Sequence, residues 1–112
     1  MNFFNNQLPS VAAGAVPGDG YLLDVRENDE WRAGHAPDAV HIPLSELNNR
    51  AQEVPKDRDI YVICRSGARS AQAVAAFNGA GWTASNVEGG MHAWEGAGRP
   101  MVSESGTDPF VA

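Results

Sequence analysis

Short apolar blocks alternate with glycine, proline and charge along the chain, and their spacing predicts strands and helices in turn. Leu8 to Val16 is weakly patterned; it suggests a short strand and one helical turn before Pro17-Gly18-Asp19-Gly20. Tyr21 to Val25 reads as a buried strand, interrupted by one polar residue, Asp24. Glu27 to Ala33 predicts a short acidic helix with Trp31 on its inner side and Gly34 past its end. Ala39 to Pro43 is a short extended piece. Ser45 is placed to cap a helix running to Asn49 or Arg50, with Glu46 in its first turn. Ile60-Tyr61-Val62-Ile63, uncharged and β-branched or aromatic, predicts the central strand, buried on both faces. Arg65 to Ala68 reads as a loop. Ser70 to Ala80 follows as an alanine-rich helix anchored by Val74 and Phe77 and ended by Gly79 and Gly81. Thr83 to Val87 suggests another strand. Gly89-Gly90 turns into a last helix, Met91 to Ala97, with Trp94 inward, and Gly98-Arg99-Pro100 opens a surface tail through residue 112.

This alternation predicts an α/β sandwich around a mostly parallel sheet. Functional sites in such sheets lie at the carboxyl ends of the strands. Asp24 and Cys64 each fall at such an end.

Length and composition narrow the picture. The chain has 112 residues, 43% of them hydrophobic and 20% charged, which fits one globular domain over 1–112 with a core of about 8–100. Its one cysteine excludes an internal disulfide and a cysteine-based structural zinc site. No run approaches the ~20 apolar residues of a membrane-spanning helix. The N-terminal segment lacks the pattern of a secretory leader, its first basic side chain being Arg26, so a cytoplasmic location is the expectation. Net charge is −6, a poor electrostatic match for nucleic acid or an anionic membrane, so neither is expected as a partner. The charge is unevenly placed. From Ile60 to Val87 there is no acid, while Arg65, Arg69 and Cys64 all lie there. The cysteine occupies the one locally cationic stretch of an acidic chain.

Cys64-Arg65-Ser66-Gly67-Ala68-Arg69-Ser70 joins the central strand to a helix start. Unpaired amides at a helix N-terminus carry partial positive charge. A tight loop with Gly67 turns further amides inward, forming a nest for an anion, and Arg65 and Arg69 add full charges. Each effect favours thiolate over thiol, so Cys64 is expected to ionise below the ~8.5 of a free thiol and to act as a nucleophile. The plain alternative is a buried strand-end cysteine of no chemical consequence.

Three blocks give the sequence a resemblance to the rhodanese-like domain family. The first is Leu22-Leu23-Asp24-Val25-Arg26, with Glu30-Trp31 and then Gly34 through Pro43. The second is Val62-Ile63-Cys64 with its loop through Ser70. The third is Val87 to Trp94. The resemblance implies a three-layer sandwich with a parallel five-stranded sheet flanked by helices. It implies sulfur transfer through a Cys64 persulfide: the thiolate takes the outer sulfur of a small anionic donor such as thiosulfate and passes it to a thiophilic acceptor, cyanide or a thiol, including one on a partner protein. The amides of residues 65 to 69 would form the cradle. Asp38 and His41 depart from the family's usual glycine and asparagine. The expectation is that Asp38 supports the turn through its tolerance of left-handed backbone, and that His41 forms a hydrogen bond of its own.

Two other readings compete. Cysteine phosphatases and arsenate reductases, some on this fold, use Cys-x5-Arg; here Cys64 and Arg69 are one residue closer and Ile63 stands where a histidine usually precedes. A non-enzymatic interaction module is the other, and such modules often lack the cysteine. Among supporting residues, Asp24 is expected to be structural, orienting Arg69 or the loop amides. Arg26 is expected with Glu27 and Glu30 in a helix-start charge cluster. His35 is expected in a structural hydrogen bond, and Trp94 is the tryptophan expected to touch the pocket. His35 and His41 lack metal-ligand spacing, so no metal and no cofactor are expected. The sequence leaves oligomeric state open.

Overall fold

Five strands form one sheet in the computed structural model, which describes residues 8–112. They are β1 (Ser10–Ala12), β2 (Tyr21–Asp24), β3 (Val40–His41), β4 (Asp59–Ile63) and β5 (Thr83–Glu88). Their order across the sheet is β1-β5-β4-β2-β3, and every pairing is parallel rather than most of them. The uncharged run thus sits at the centre, between β2 and β5. Residues 1–7 of the expected domain lie outside the described residues.

Alternation along the strands sorts the core onto two faces. Leu23, Ile60 and Val62 point to one side, where they pack with Val74 and Phe77 of the long helix α3 (Ala68–Gly79) described below. Leu22 and Ile63 point to the other, where they meet Met91 and Trp94. Cys64 continues the parity of Ile60 and Val62, which places its side chain on the α3 face, next to the loop that follows it.

Four α-helical segments cover the sheet: α1 (Asn28–Ala33), α2 (Leu47–Arg50), α3 and α4 (Gly90–Gly96). Glu27 caps α1 in a reciprocal capping box with Glu30. Ser45 caps nothing. Pro43 opens a 3-10 turn, Leu44–Glu46, that runs into α2 without a side-chain cap, because proline already fixes the entering backbone. The long helix starts at Ala68, two residues before the sequence pattern suggested, because Gly67 adopts a left-handed φ of 113° and turns the chain into it at once. No non-glycine residue among those described has a positive φ, so the turn at Asp38 uses no left-handed backbone.

Residues 101–112 run over the surface but are fastened to it. His35 and Val102 exchange backbone hydrogen bonds, each 2.9 Å, and the Phe110 amide donates to the Ala33 carbonyl. Among the described residues, no helix is long and apolar enough to cross a membrane.

Candidate active site

Cys64 leaves β4 at the carboxyl edge of the sheet, where its neighbours on both sides also end. Its carbonyl and that of Arg65 are taken by α4: Met91 N–H donates to Cys64 O (2.8 Å) and His92 N–H to Arg65 O (3.2 Å). A planar trans peptide sends its N–H away from its carbonyl, so the amide after Arg65, that of Ser66, points away from α4. Gly90 permits this grip. A Cβ there would lie 2.4 Å from the Cys64 carbonyl oxygen and 2.6 Å from the Arg65 carbonyl carbon.

The cysteine is almost wholly buried, with 1% of its surface exposed. Sγ accepts the Gly67 amide at 3.1 Å and lies 3.2 Å from the Ser70 hydroxyl. Burial pushes the thiol up; against it, the Ser70 hydroxyl and the amides of Ser70, Gly67 and Ser66 stabilise the thiolate, and the net position is below the ordinary thiol value. Of the expected cradle, residues 65 to 69, the Gly67 amide bonds the sulfur, joined by the Ser70 hydroxyl just beyond it, while Arg65 and Ala68 stand exposed at the loop's rim.

The two arginines behave differently. Arg69 is held by Glu30 through both carboxylate oxygens, at 2.6 and 2.8 Å. The pair raises the guanidinium above its usual range and, with Arg69 as its main cause, lowers the Glu30 carboxyl. Arg65 is exposed, and its Nε–H donates to the Ala112 backbone oxygen (2.9 Å).

Three expectations are corrected here. Asp24 does not orient Arg69 or the loop; it is fully buried and binds Arg26 through both carboxylate oxygens. The sequence places Arg26 in a helix-start cluster with Glu27 and Glu30, but its side-chain hydrogen bonds go to Asp24 and Gly34 instead. It is also fully buried, its Nη2 donating to Asp24 (2.8 Å) and to the Gly34 carbonyl (2.8 Å). Chemistry explains the pairing: a guanidinium inside a fold needs a carboxylate at bidentate range, and Asp24 lies two residues away at the end of β2. Trp94 forms no described hydrogen bond with the Cys64 loop. Its indole donates to Pro100 O (3.0 Å), and it lines a cavity of about 230 Å³ with Val16, Pro37 and Arg99, none of them a loop residue.

Two of the three histidines, His35 and His41, sit beside Trp31, which is half-buried rather than in the core. His35 stacks on its indole at 3.4 Å between ring centroids and His41 at 4.7 Å. His35 bonds the Ala36 carbonyl and the Glu104 carboxylate, and His41 Nε2–H donates to the Arg26 carbonyl (2.7 Å). His35 thus ties the segment between α1 and β3 to the C-terminal stretch, and His41 ties β3 to the turn between β2 and α1.

Two participants carry no local sequence signal. Glu30 reaches Arg69 across 39 positions. Asn86, on β5, bonds both Ser70 and the Gly67 carbonyl. Only its place just before Val87-Glu88-Gly89-Gly90, beside the loop's strand, could have pointed to it.

A family model described as the rhodanese-like domain matches residues 10–97. A sulfurtransferase of Allochromatium vinosum is 42% identical over 89 residues, covering 79% of this chain and 83% of that protein. A crystal structure of a rhodanese-related protein from Thermoplasma volcanium aligns with TM-score 0.79 and 34% identity, covering 84% of this chain and 97% of that one. The solution structure of a rhodanese-like domain from an Anabaena protein aligns with TM-score 0.79 and 27% identity over 93% of this chain and 86% of that one.

Proposed function

The chain belongs to the rhodanese-like domain family, and on that premise we propose that it is a sulfurtransferase carrying one sulfane sulfur on Cys64. The observation that supports this reading is the enclosure of Sγ by the Gly67 amide and the Ser70 hydroxyl, with 1% of the residue exposed. Such a cradle suits a cargo of one atom.

In the first step the Cys64 thiolate attacks the outer sulfur of a donor. With thiosulfate, the S–S bond of the donor breaks, a new S–S bond forms on Cys64, and sulfite leaves with the electron pair. The negative charge then rests on the outer sulfur of the persulfide, within reach of amides already turned inward. In the second step a thiophilic acceptor attacks that outer sulfur. With cyanide the products are thiocyanate and the Cys64 thiolate; with a thiol, small or on a partner protein, the sulfur leaves as a new persulfide. No second cysteine stands in the chain to take it internally.

Arg65, exposed at the rim, is the side chain we assign to attracting an anionic donor. Arg69 is engaged by Glu30 and is not offered to a tetrahedral phosphoryl group, which weighs against phosphoester hydrolysis. The thiosulfate–cyanide assay on the wild type and Cys64→Ser tests the reading. Thiocyanate production lost in a folded Cys64→Ser variant is the expected result. Production retained in that variant, or a wild type that turns over an aryl phosphate and no sulfur donor, overturns it.

A further inference from the structure

We propose that Asn86 is a positioning residue that competes with Cys64 for the single proton of the Ser70 hydroxyl, and so sets how readily the free thiolate forms. The proposal rests on Cys64 being the reacting sulfur.

The hydrogen-bond inventory around Ser70 requires this competition. The Gly67 carbonyl, which can only accept, faces Asn86 Nδ2 at 3.2 Å. That fixes the amide: its nitrogen points to Gly67 and its Oδ1 to Ser70. Ser70 Oγ lies 2.5 Å from this Oδ1, 3.2 Å from the Gly67 carbonyl and 3.2 Å from Cys64 Sγ. Ser70 is fully buried, so water does not enter the exchange from its own side. Three acceptors share one hydrogen.

Two arrangements satisfy the group. While Cys64 is a thiol, its S–H points at Oγ and Ser70 donates to Asn86. When Cys64 is a thiolate, Ser70 must turn its proton to sulfur, and Oδ1 is left facing oxygen lone pairs. Asn86 therefore favours the states in which Sγ carries no charge. In the persulfide the charge has moved to the outer sulfur, and Sγ is a weak neutral acceptor, so the Ser70 proton returns to Asn86. Asn86 in this way favours the loaded enzyme over the free thiolate.

The charged and titratable groups around the loop include Arg69 of α3, paired with Glu30 of α1 and near Glu27, exposed Arg65, His92 of α4, and the Asp24–Arg26 pair at the end of β2. The described hydrogen bonds of Ser70 and Asn86 involve none of them. The competition is local to three side chains.

Alkylation of Cys64 by iodoacetamide, followed as rate against pH, reads the thiolate directly and requires no sulfur transfer. Asn86→Leu, close to isosteric, removes the competing acceptor, and Asn86→Ala is the second variant that does so. Either should raise the rate on the acid side of the profile by roughly three- to tenfold, the weight of the one neutral hydrogen bond that Ser70 gives up to Asn86. Asn86→Asp, a stronger acceptor, should lower it. Ser70→Ala should lower it too, and in that background Asn86→Leu should have no effect. A rate that falls in both Asn86→Leu and Asn86→Asp marks simple damage to the loop and overturns the proposal. So does an effect of Asn86→Leu that persists undiminished in Ser70→Ala. If the apolar variants do not fold, a rate unchanged or raised in Asn86→Asp overturns it, and a fall at least halved in the Ser70→Ala background supports it. Loss of sulfur loading in the wild type, with these alkylation shifts intact, would sink the sulfurtransferase reading and leave this one standing.

Discussion

Arg69 of α3 closes a two-pronged ion pair with Glu30 of α1, at 2.6 and 2.8 Å, beside the loop that carries Cys64. The positive charge of Arg69 is thus already matched by a carboxylate. On the proposed reading, an anionic donor is drawn by Arg65 and reaches Arg69 only in competition with Glu30. Glu30→Gln should keep the capping geometry of α1 while releasing Arg69, and the KM for thiosulfate should fall roughly three- to tenfold with kcat less affected. Steady-state kinetics at low and high salt check this. A KM that is unchanged or higher would mean that Glu30 does not restrain donor binding.

The same pair makes a prediction about pH. The hydrogen bond from Arg69 lowers the Glu30 carboxyl below its unfolded value. A depressed carboxyl stabilises the fold above the unfolded pKa, and that contribution is lost as pH falls through the folded one. Urea midpoints of wild type and Glu30→Gln should therefore differ most at neutral pH and converge as pH drops below the ordinary carboxylate range. A gap that is constant across this range would show that Glu30 titrates alike in both states.

Much of the site was legible because it is local. A β-branched run ending in Cys64, then Gly67 and a helix, places the cysteine at the edge of a parallel sheet whatever the rest of the chain does. The parity of Ile60, Val62 and Cys64 chooses its face. Long-range partners are a different matter. Arg26 reads as part of a helix-start charge cluster with Glu27 and Glu30, because nothing local says that it will be buried with Asp24 at the end of β2. Glu30 and Asn86 reach the loop only through folding. Ser45 looked like a cap on composition, and Pro43, two residues earlier, had already set the backbone.

Gly90 supplies a stringent test of how the loop is held. Alanine there would drive its Cβ into the backbone of Cys64 and Arg65 and would also occupy a positive φ of 56°. Gly90→Ala should cost about 1–3 kcal/mol or more in urea unfolding and should remove most sulfurtransferase activity in the protein that remains folded. Gly96→Ala, where a Cβ meets nothing within 4 Å, should be neutral or stabilising by up to about 1 kcal/mol. Equal effects at the two positions would contradict the proposed grip of α4 on the loop.

The buried Asp24–Arg26 pair should respond asymmetrically to truncation. Both side chains are fully buried, and among the described residues Arg26 Nη1 is a buried side-chain nitrogen with no partner. Asp24→Ala strands a guanidinium that cannot lose its charge, at about 3–5 kcal/mol. Arg26→Leu strands a carboxyl, which can neutralise by taking a proton, and should cost less. Chemical denaturation at neutral pH ranks the two; the reverse order would show that Arg26 contributes mainly through its packing and its bond to the Gly34 carbonyl.

Intact-mass spectrometry after exposure to thiosulfate tests the central proposal most directly. The protein should gain the mass of one sulfur atom, the gain should map to Cys64, and cyanide should remove it with release of thiocyanate. Cys64→Ser should gain nothing. A wild-type protein that stays at its original mass with thiosulfate and with low-molecular-weight persulfides, while its cysteine still alkylates, would contradict the proposal that Cys64 carries sulfur.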